Sequence, residues 1–351
     1  MVCNYLVTKS EHVIAIAIKM LRLIERSVAK PVVVFFALIL MTNESKADNL
    51  AVLYPEIREP YRQVFLSIAE GVSDKYAGST TLMSLEKGES ADVINRRLKK
   101  HNIDAVITLG RRGLKVIESL PSAMPKAVVV GGVVVHPNGH GLSGISLTPS
   151  PERLLSTLLK LQPKVKNIYV IYQPGPGEWL IKRAKKVSKS LGLTLTMLPA
   201  SDIHEQATQY RRLLGDMTRE TDALWVSHDS SRLDKSIMRM VLEKSWRRKL
   251  TIFSSNLVDM KRGVLFSLYP DNHAMGESLA SMIASMEKAM HSVSGAMPQS
   301  VVDQSHQPIS NFGISPVRDL LTAVNVRTAN HIGLHFNKKQ RSEFGMSYPP
   351  Q

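Results

Sequence analysis

The stretch SWRRKLTIFSSNLVDMKRGVLFSLYPDN, from Ser245 to Asn272, contains the pattern that decides the fold. An apolar run, residues 250–253, ends at a polar trio, and a second β-prone run, residues 264–269, ends at another. Short apolar runs that end in capping residues are typical of buried strands followed by helices. The trios are Ser254, Ser255 and Asn256 after the first run, and Pro270, Asp271 and Asn272 after the second.

The same alternation of β-prone and amphipathic helical runs extends over the chain from residue 50. It predicts parallel sheets covered by helices on both faces, so the expected fold class is α/β. A segment rich in Gly and Pro, residues 133–150, interrupts the alternation, and we interpret it as a crossover between two α/β units. After the second unit we expect a late strand at 309–314, a closing helix at 324–334 and a polar tail, residues 337–351, that frays.

Composition narrows the class of protein. The chain has 351 residues and a formal charge of +15, of which 39 Lys/Arg and 27 Asp/Glu, or +12, follow residue 47. Neither zinc-finger spacing nor an RNA-binding aromatic signature is present, and the basic residues are scattered over many predicted helices. We therefore expect a diffusely basic, solvated surface and no nucleic-acid partner.

The first 47 residues have the layout of a secretory signal. Basic residues precede an uncharged run, residues 31–42, and Ser45, Lys46 and Ala47 form a small-x-small cleavage pattern. The alternative is an uncleaved anchor or a buried helix, and translation could begin at Met1 or Met20. The only cysteine, Cys3, lies in this leader, so a mature chain from about Asp48 would have no disulfide. This fits a periplasmic protein with a cleaved signal peptide.

The sequence contains no nucleophile elbow, phosphate-binding P-loop, dinucleotide glycine fingerprint, zinc-protease helix or calcium loop. His228 and Asp229 follow a predicted strand, but adjacency in sequence does not establish a catalytic triad. His136 and His140 flank a Gly-rich turn and lack further spaced ligands, which favours an exposed loop over a metal site. We therefore predict a non-enzymatic protein with no metal and no cofactor.

The predicted strand ends form the remaining candidate site. Parallel strands place their carboxyl ends at one edge of each sheet, so two facing units would enclose a polar cleft. Free N–H groups at helix starts favour anionic or acceptor groups there. Arg111 could pair with a ligand carboxylate or be a solvated first-turn residue, and Tyr54 and Trp179 could stack on a ligand or simply pack.

Several separated runs resemble one protein family in the same order. They are AVLYPEIREPYRQVFLSIAEGV from Ala51, GISLTPSPERLLSTLLKLQP from Gly144, ALWVSHDSSRLD from Ala223, FSSNLVDMKRGVLFSLYPDNHAMG from Phe253 and VNVRTANHIGL from Val324. Across essentially the whole mature chain, the sequence resembles exported solute-binding proteins of ABC transporters in the tryptophan and tyrosine uptake subfamily. Two departures are an Arg at 111 and 112, where many relatives have a small residue, and the absence of a lipid-attachment cysteine.

The resemblance implies a type I periplasmic-binding fold with two flavodoxin-like lobes, three crossovers and a hinged cleft. By position it implies lobe 1 from 48–146 plus about 258–305, and lobe 2 from 147–257 plus about 306–336. The ligand-binding residues by position would be Tyr54, Gly110, Arg111, Ser227, Asp229, Ser254, Ser255 and Asn256.

The function that the resemblance implies is the periplasmic binding component of an ABC importer. A monomer would bind a small organic solute, such as an amino acid or a related compound, and present it to an inner-membrane permease. One alternative is a ligand sensor that uses the same cleft and signals through a membrane receptor. A third possibility is an exported α/β enzyme, which would need a turnover that depends on His228 or Asp229.

Overall fold

The computed structural model describes residues 49–119, 125, 127–137, 141–227, 233–294 and 312–350. They belong to a compact unit that runs from Asp48 to Gln351. The predicted leader, residues 1–47, lies outside the described residues. Among the helices of the described part, none is both long enough and apolar enough to cross a membrane.

Strands and helices alternate through most of this unit. In chain order the strands are β1 (Asn49–Pro55), β2 (Ser79–Leu85), β3 (Ala105–Leu109), β4 (Ala127–Val133), β5 (Ser143–Pro149), β6 (Asn167–Tyr172), β7 (Thr194–Pro199), β8 (Asp222–Val226), β9 (Thr251–Ser254), β10 (Phe266–Pro270), β11 (Ile314–Val317), β12 (Leu320–Asn325) and β13 (Met346–Tyr348). The helices are α1 (Tyr61–Lys75), α2 (Ala91–Lys100), α3 (Gly110–Ser119), α4 (Pro151–Leu161), α5 (Glu178–Ser190), α6 (Ile203–Asp216), α7 (Lys235–Arg248), α8 (Leu257–Arg262), α9 (Asn272–Ser294), α10 (Val326–His331) and α11 (Lys338–Ser342).

The strands form two sheets, which confirms the predicted α/β class. Sheet 1 has six strands in the order β11-β5-β4-β3-β1-β2, and every neighbouring pair is parallel. Sheet 2 has seven strands in the order β13-β12-β10-β9-β8-β6-β7, and only the β10–β12 pair is antiparallel. All five residues of β3 and all five of β8 are buried, as expected for central strands covered on both faces.

Helices α1 and α9 pack closely against each other and cover sheet 1. A Cβ atom at Gly71 would lie 2.0 Å from the carbonyl oxygen of His273, and one at Gly276 would lie 2.1 Å from that of Ile68. Glycine at both positions therefore allows a backbone approach that no larger residue permits. The apolar face of α9 is core, as predicted, with Met275, Leu279, Ile283 and Met286 buried.

Over the residues that the structure describes, the backbone passes between the two sheets at three places. These passages are residues 149–151, between β5 and α4, residues 270–272, between β10 and α9, and residues 317–320, between β11 and β12. Backbone hydrogen bonds join them, because Ser150 N donates to Val317 O and Asp271 N donates to Asp319 O, each over 2.9 Å. The Ser278 hydroxyl also donates to Asp319 Oδ2 over 2.6 Å. The third passage therefore lies between the other two and is bonded to both.

The structure differs from the sequence-based expectations in several elements. Residues 143–149 form β5 of sheet 1, inside the segment that was expected to be a crossover alone. The late strand is β11, at 314–317 rather than 309–314. Strand β12, at 320–325, overlaps the first two residues of the expected closing helix, 324–334, and that helix is observed as α10, at Val326–His331. Both strands are short and mixed in polarity, so their sheet pairing, not their local pattern, determines them.

Three of the predicted segments also differ from the observed elements. Strand β11, at 314–317, pairs with β5 in sheet 1, although it lies in the segment 306–336 that was expected for lobe 2. Strand β10, at 266–270, pairs with β9 and β12 in sheet 2, although the second segment of lobe 1 was expected to begin near residue 258. The tail expected to fray contains α11 and β13, which pairs with β12. Phe344 packs on the main core and lies 5.0 Å from Phe336 between ring centroids, so apolar burial holds this tail.

Candidate functional site

The carboxyl edge of sheet 1 is built around Gly110, at the end of β3. Gly110 has a φ angle of +74°, which favours glycine. A Cβ atom there would lie 3.1 Å from the Phe65 ring and 3.4 Å from the Pro55 ring. The side chain of Tyr54, one residue before Pro55, is half-buried and packs against the main core. Phe65 and Pro55 therefore cover Gly110 in this structure.

The two arginines that follow Gly110 have different environments. Arg112 donates through Nη1 to the carbonyl oxygen of Leu85, over 2.6 Å, and of Glu56, over 3.4 Å. It thereby ties the ends of β1 and β2 together. Arg111 is exposed and forms neither an ion pair nor a hydrogen bond with another described residue. Of the two, Arg111 has the guanidinium that is available to a ligand.

The polar residues after β9 form a hydrogen-bonded network with α8. Ser254 Oγ donates to Asp259 Oδ2 over 2.8 Å and accepts from the backbone N–H of Asn256 over 3.0 Å. Asp259 is buried and its Oδ1 accepts from Arg262 Nη1 over 3.1 Å. Asn256 caps α8 by accepting from the N–H of Val258 over 3.1 Å, as its place before the helix predicted.

Ser255 is held by a tryptophan from the neighbouring strand. Trp225 Nε1 donates to Ser255 Oγ over 2.8 Å, and both residues are buried. The Trp225 ring lies parallel to that of Phe253, which stacks in turn on Phe266. The hydroxyl groups of Ser254 and Ser255 are thus engaged in the fold, whereas the Nδ2 donor of Asn256 is not used by the helix cap.

The last predicted site residues follow β8. Ser227 is buried at the end of this strand. Asp229, and His228 beside it, lie outside the described residues. The backbone N–H of Ser255 donates to Val226 O over 3.1 Å, so the ends of β8 and β9 are adjacent. The structure therefore brings Ser227 and the trio after β9 to one edge of sheet 2.

A tyrosine and an aspartate are buried together beneath this edge. Tyr210, from α6, is fully buried with Asp259 nearby. Burial raises the pKa of the Tyr210 hydroxyl well above its usual range, and the Asp259 carboxylate raises it further. Tyr210 is therefore neutral at any physiological pH and its hydroxyl can act as a hydrogen-bond donor.

One hydrogen bond joins the two sheet regions at their carboxyl edges. Trp179 Nε1, at the start of α5, donates to Nδ1 of His136, which follows β4, over 3.2 Å. The indole N–H can only donate, so Nδ1 of His136 must carry a lone pair. The sequence predicts that Trp179 either stacks on a ligand or simply packs and that His136 lies in an exposed loop, and no local pattern pairs two residues that are 43 positions apart.

The first passage carries an ion pair on its sheet 2 side. Arg183 donates to Glu152 Oε1 from Nε over 2.9 Å and from Nη2 over 2.6 Å, and Ser150 Oγ donates to Oε2 over 2.7 Å. Burial alone would raise the pKa of the Glu152 carboxyl. The hydrogen bonds from Arg183 and Ser150 outweigh that effect, so the pKa lies below its usual range. The start of α4 is thereby fixed to α5.

Within the described ranges, no group of three or more His, Cys, Asp or Glu side chains is placed to hold a metal ion. His140, the second histidine of the Gly-rich turn, lies outside those ranges. The groups that the described site offers are aromatic rings, the guanidinium of Arg111 and the amide of Asn256. Such a set suits the recognition of an organic solute.

Comparison with known protein families identifies the family to which this chain belongs. A family model described as ABC transporter substrate binding protein matches residues 68–307, which are 240 of the 351 residues. The chain belongs to that family. Substrate-binding proteins of this family are a non-enzymatic type, in line with the lack of a catalytic motif. No curated protein matches this substrate-binding protein.

The chain is similar to several solved structures, and one with a TM-score above 0.5 supports the type I periplasmic-binding fold. A substrate-binding protein with adhesive properties from Clostridium difficile, in its ligand-free, open form, is 13% identical, covers 85% of this chain and 98% of its own, and has a TM-score of 0.55. The ABC domain from Streptococcus pneumonia in complex with L-Trp is 16% identical, with coverage of 86% and 99% and a TM-score of 0.46. A conserved domain protein from Vibrio cholerae is 14% identical, with coverage of 86% and 100% and a TM-score of 0.45.

Proposed function

We propose that this substrate-binding protein holds a small organic solute between two lobes and delivers it to an ABC permease in the inner membrane. The observation that carries the proposal is the set of three hydrogen-bonded passages between the sheets. Because the chain crosses only at residues 149–151, 270–272 and 317–320 of the described part, a few backbone dihedrals can change the angle between the lobes.

In this proposal, lobe 1 contains sheet 1 with α1, α2, α3 and α9, and lobe 2 contains sheet 2 with the other helices. The hydrogen bond from Trp179 to His136 stabilises the form in which the carboxyl edges approach each other. A ligand that contacts both edges would shift the population towards this form by its differential affinity. The permease would then recognise the closed form.

The groups proposed to bind the solute come from both edges. Arg111 pairs with a carboxylate, and Tyr54 and Trp179 provide an apolar wall. The Nδ2 amide of Asn256 donates a hydrogen bond, while Ser254 and Ser255 fix the loop that presents it. Gly110 and Ser227 are included because they lie at the carboxyl ends of β3 and β8. Asp229 is included on the family resemblance alone. An amino acid or a related compound has this combination of charged and apolar parts.

Location and assembly belong to the same proposal. The first 47 residues act as a cleaved signal peptide that exports the protein to the periplasm. The leader has no cysteine at a lipid-attachment position, so we propose that the mature protein diffuses freely. We also propose that it is a monomer. In this proposal the basic surface is solvated by the periplasmic medium and does not bind nucleic acid.

A thermal-shift screen of the protein against amino acids, purines, organic acids and short peptides tests the proposal. A ligand that binds only the folded state raises Tm with the logarithm of its concentration. We expect one compound class to give a saturable rise and to reduce the radius of gyration in solution scattering. The absence of a saturable rise with every class, or of any change in dimensions with a bound ligand, would contradict it.

Arg111→Gln tests the assigned site. A hydrogen bond to a charged group contributes about 1.5–3 kcal/mol, so the dissociation constant of a carboxylate ligand should rise roughly 10- to 100-fold. Arg96→Gln is the matched control, because Arg96 is an exposed arginine on α2 of the same lobe. An equal effect of both substitutions would remove Arg111 from the site.

A further inference from the structure

A second concave site lies at the amino edge of sheet 2, where β9 and β10 begin. Its volume is about 410 Å³. The ends of α7 and α8, the start of α10 and Tyr348 of β13 form its walls. The proposed solute cleft is at the carboxyl ends of the same strands, so the two sites are on opposite edges of the sheet.

Four cationic side chains are among the sixteen residues that line this pocket. Arg247, Lys261, Arg262 and Arg327 line it together with a single carboxylate, Glu243. Arg262 pairs with Asp259, but in the described part of the chain the other three cations have no carboxylate within 4.0 Å. Cations that converge on one concave site without counter-charges favour an anionic ligand.

The position of Arg327 is not explained by helix stability. Arg247 and Arg262 lie in the last turns of α7 and α8, where a cation interacts favourably with the helix dipole. Arg327 lies in the first turn of α10, where the dipole disfavours a positive charge. Its guanidinium carbon lies 5.6 Å from the centroid of the Trp246 ring, which keeps this charge at the pocket.

Flat side chains form a fixed wall of the pocket. The rings of Trp246 and His331 are parallel, with centroids 3.6 Å apart, and His331 Nε2 donates to the Trp246 carbonyl oxygen over 2.8 Å. Trp246 nevertheless remains 37% exposed. At the floor, Asn325 Nδ2 donates to Met260 O and Thr328 Oγ1 donates to Gly263 O, each over 2.9 Å. The site is therefore pre-organised, which lowers the cost of binding.

We propose that this pocket binds a small organic anion. Its carboxylate or phosphate group pairs with Arg247, Lys261 and Arg327, and its planar part lies against the exposed part of Trp246. The pocket volume is within the usual range for small-molecule sites, about 300–1,000 Å³. Binding here does not depend on the solute cleft, so it can occur in the open and the closed form.

Spectra of the protein labelled with ¹⁵N-tryptophan test this site. The chain has three tryptophans, so three indole N–H signals are expected, and Trp246→Phe assigns the one at the pocket. The probes are phenyl phosphate and benzoate, with benzamide as their neutral counterpart. We expect the anions, and not benzamide, to shift the Trp246 signal saturably, with an affinity that falls as salt is added. A ligand in the solute cleft would instead shift the Trp179 signal.

Two variants and a control complete the test. Arg327→Gln and Lys261→Gln should each raise the dissociation constant of the anionic probes at least ten-fold. Lys261→Gln leaves the contact between Arg327 and Trp246 intact. Arg239→Gln removes an exposed arginine of α7 outside the pocket and should change the value less than two-fold. A missing saturable shift with both anions, an equal shift with benzamide, or an equal loss in the control would overturn the proposal.

Discussion

Gly276→Ala should separate the helix pair that covers sheet 1. A Cβ atom at this position would lie 2.1 Å from the Ile68 carbonyl oxygen and 2.9 Å from the Val72 nitrogen, against an ordinary contact of at least 3.4 Å. The backbone of α1 would have to retreat by about 1.3 Å, the difference between 2.1 and 3.4 Å. Ile68, Ala69 and Val72 are fully buried behind it, so this movement would open space in the core.

The free energy of unfolding should fall by about 2 kcal/mol. Overpacking of a tight site costs about 1–3 kcal/mol, and a backbone atom cannot rotate away as a flexible side chain can. Alanine in place of glycine recovers about 1 kcal/mol of helix propensity, which offsets part of the upper value. Equilibrium unfolding in urea, with an unchanged slope, measures the difference.

Gly215→Ala is the matched control, because Gly215 is in α6 with no atom within 4 Å of an added Cβ. The same substitution should there leave stability unchanged or raise it by up to about 1 kcal/mol. The prediction is contradicted if the unfolding free energy of Gly276→Ala stays within about 0.5 kcal/mol of that of the parent protein, or if both variants lose the same stability. In either case the close approach of α1 and α9 does not require glycine at this position.

Substitutions at three further positions test a contact at the cleft, a contact between α1 and α9, and the cap of α8. Trp179→Phe keeps an aromatic ring but loses the donor to His136, so the dissociation constant of a cleft ligand should rise roughly two- to ten-fold in calorimetry. Asp74 accepts a hydrogen bond from His273 and thereby raises the pKa of the His273 imidazole. The pair therefore stabilises the fold fully below pH 6.5, the ordinary pKa of histidine, and this stabilisation is lost as the pH rises through the raised pKa. Asp74→Asn should lower this pKa in an NMR titration, and an unchanged pKa would exclude the pair. Asn256→Ala should cost about 1 kcal/mol of unfolding free energy through loss of the α8 cap, whereas Asn256→Asp should keep most of it.

Local pattern was enough to predict most strands and helices. Strand β9, at Thr251–Ser254, is shifted by one residue from the predicted apolar run, 250–253, and α8 begins directly after the predicted cap, Asn256. Buried parallel strands are continuous apolar runs, and a cap satisfies N–H groups a few residues away, so both leave a signal within a short window. The family resemblance similarly depended on runs of residues that are contiguous in the chain.

Contacts between distant residues were decided by the tertiary structure. Strands β10 and β12 lie beside each other in sheet 2 as an antiparallel pair. Each is a short run whose local sequence would suit either sheet, so the sequence pattern does not predict this pairing. Trp225 and Ser255 are 30 positions apart, and the hydrogen bond between them shows that this hydroxyl is engaged in the fold.

The sequence by itself determined the α/β class, the order of most elements and the family of this protein. Only the tertiary structure decided which predicted site residues are engaged in the fold, that Trp179 and His136 meet, and that four cations from three helices line one pocket. The physical reason is that secondary-structure propensity, helix capping and the periodicity of apolar residues each depend on a few neighbouring residues in the chain. Hydrogen bonds and charges between elements depend instead on the sheet pairing and helix packing that bring those elements together.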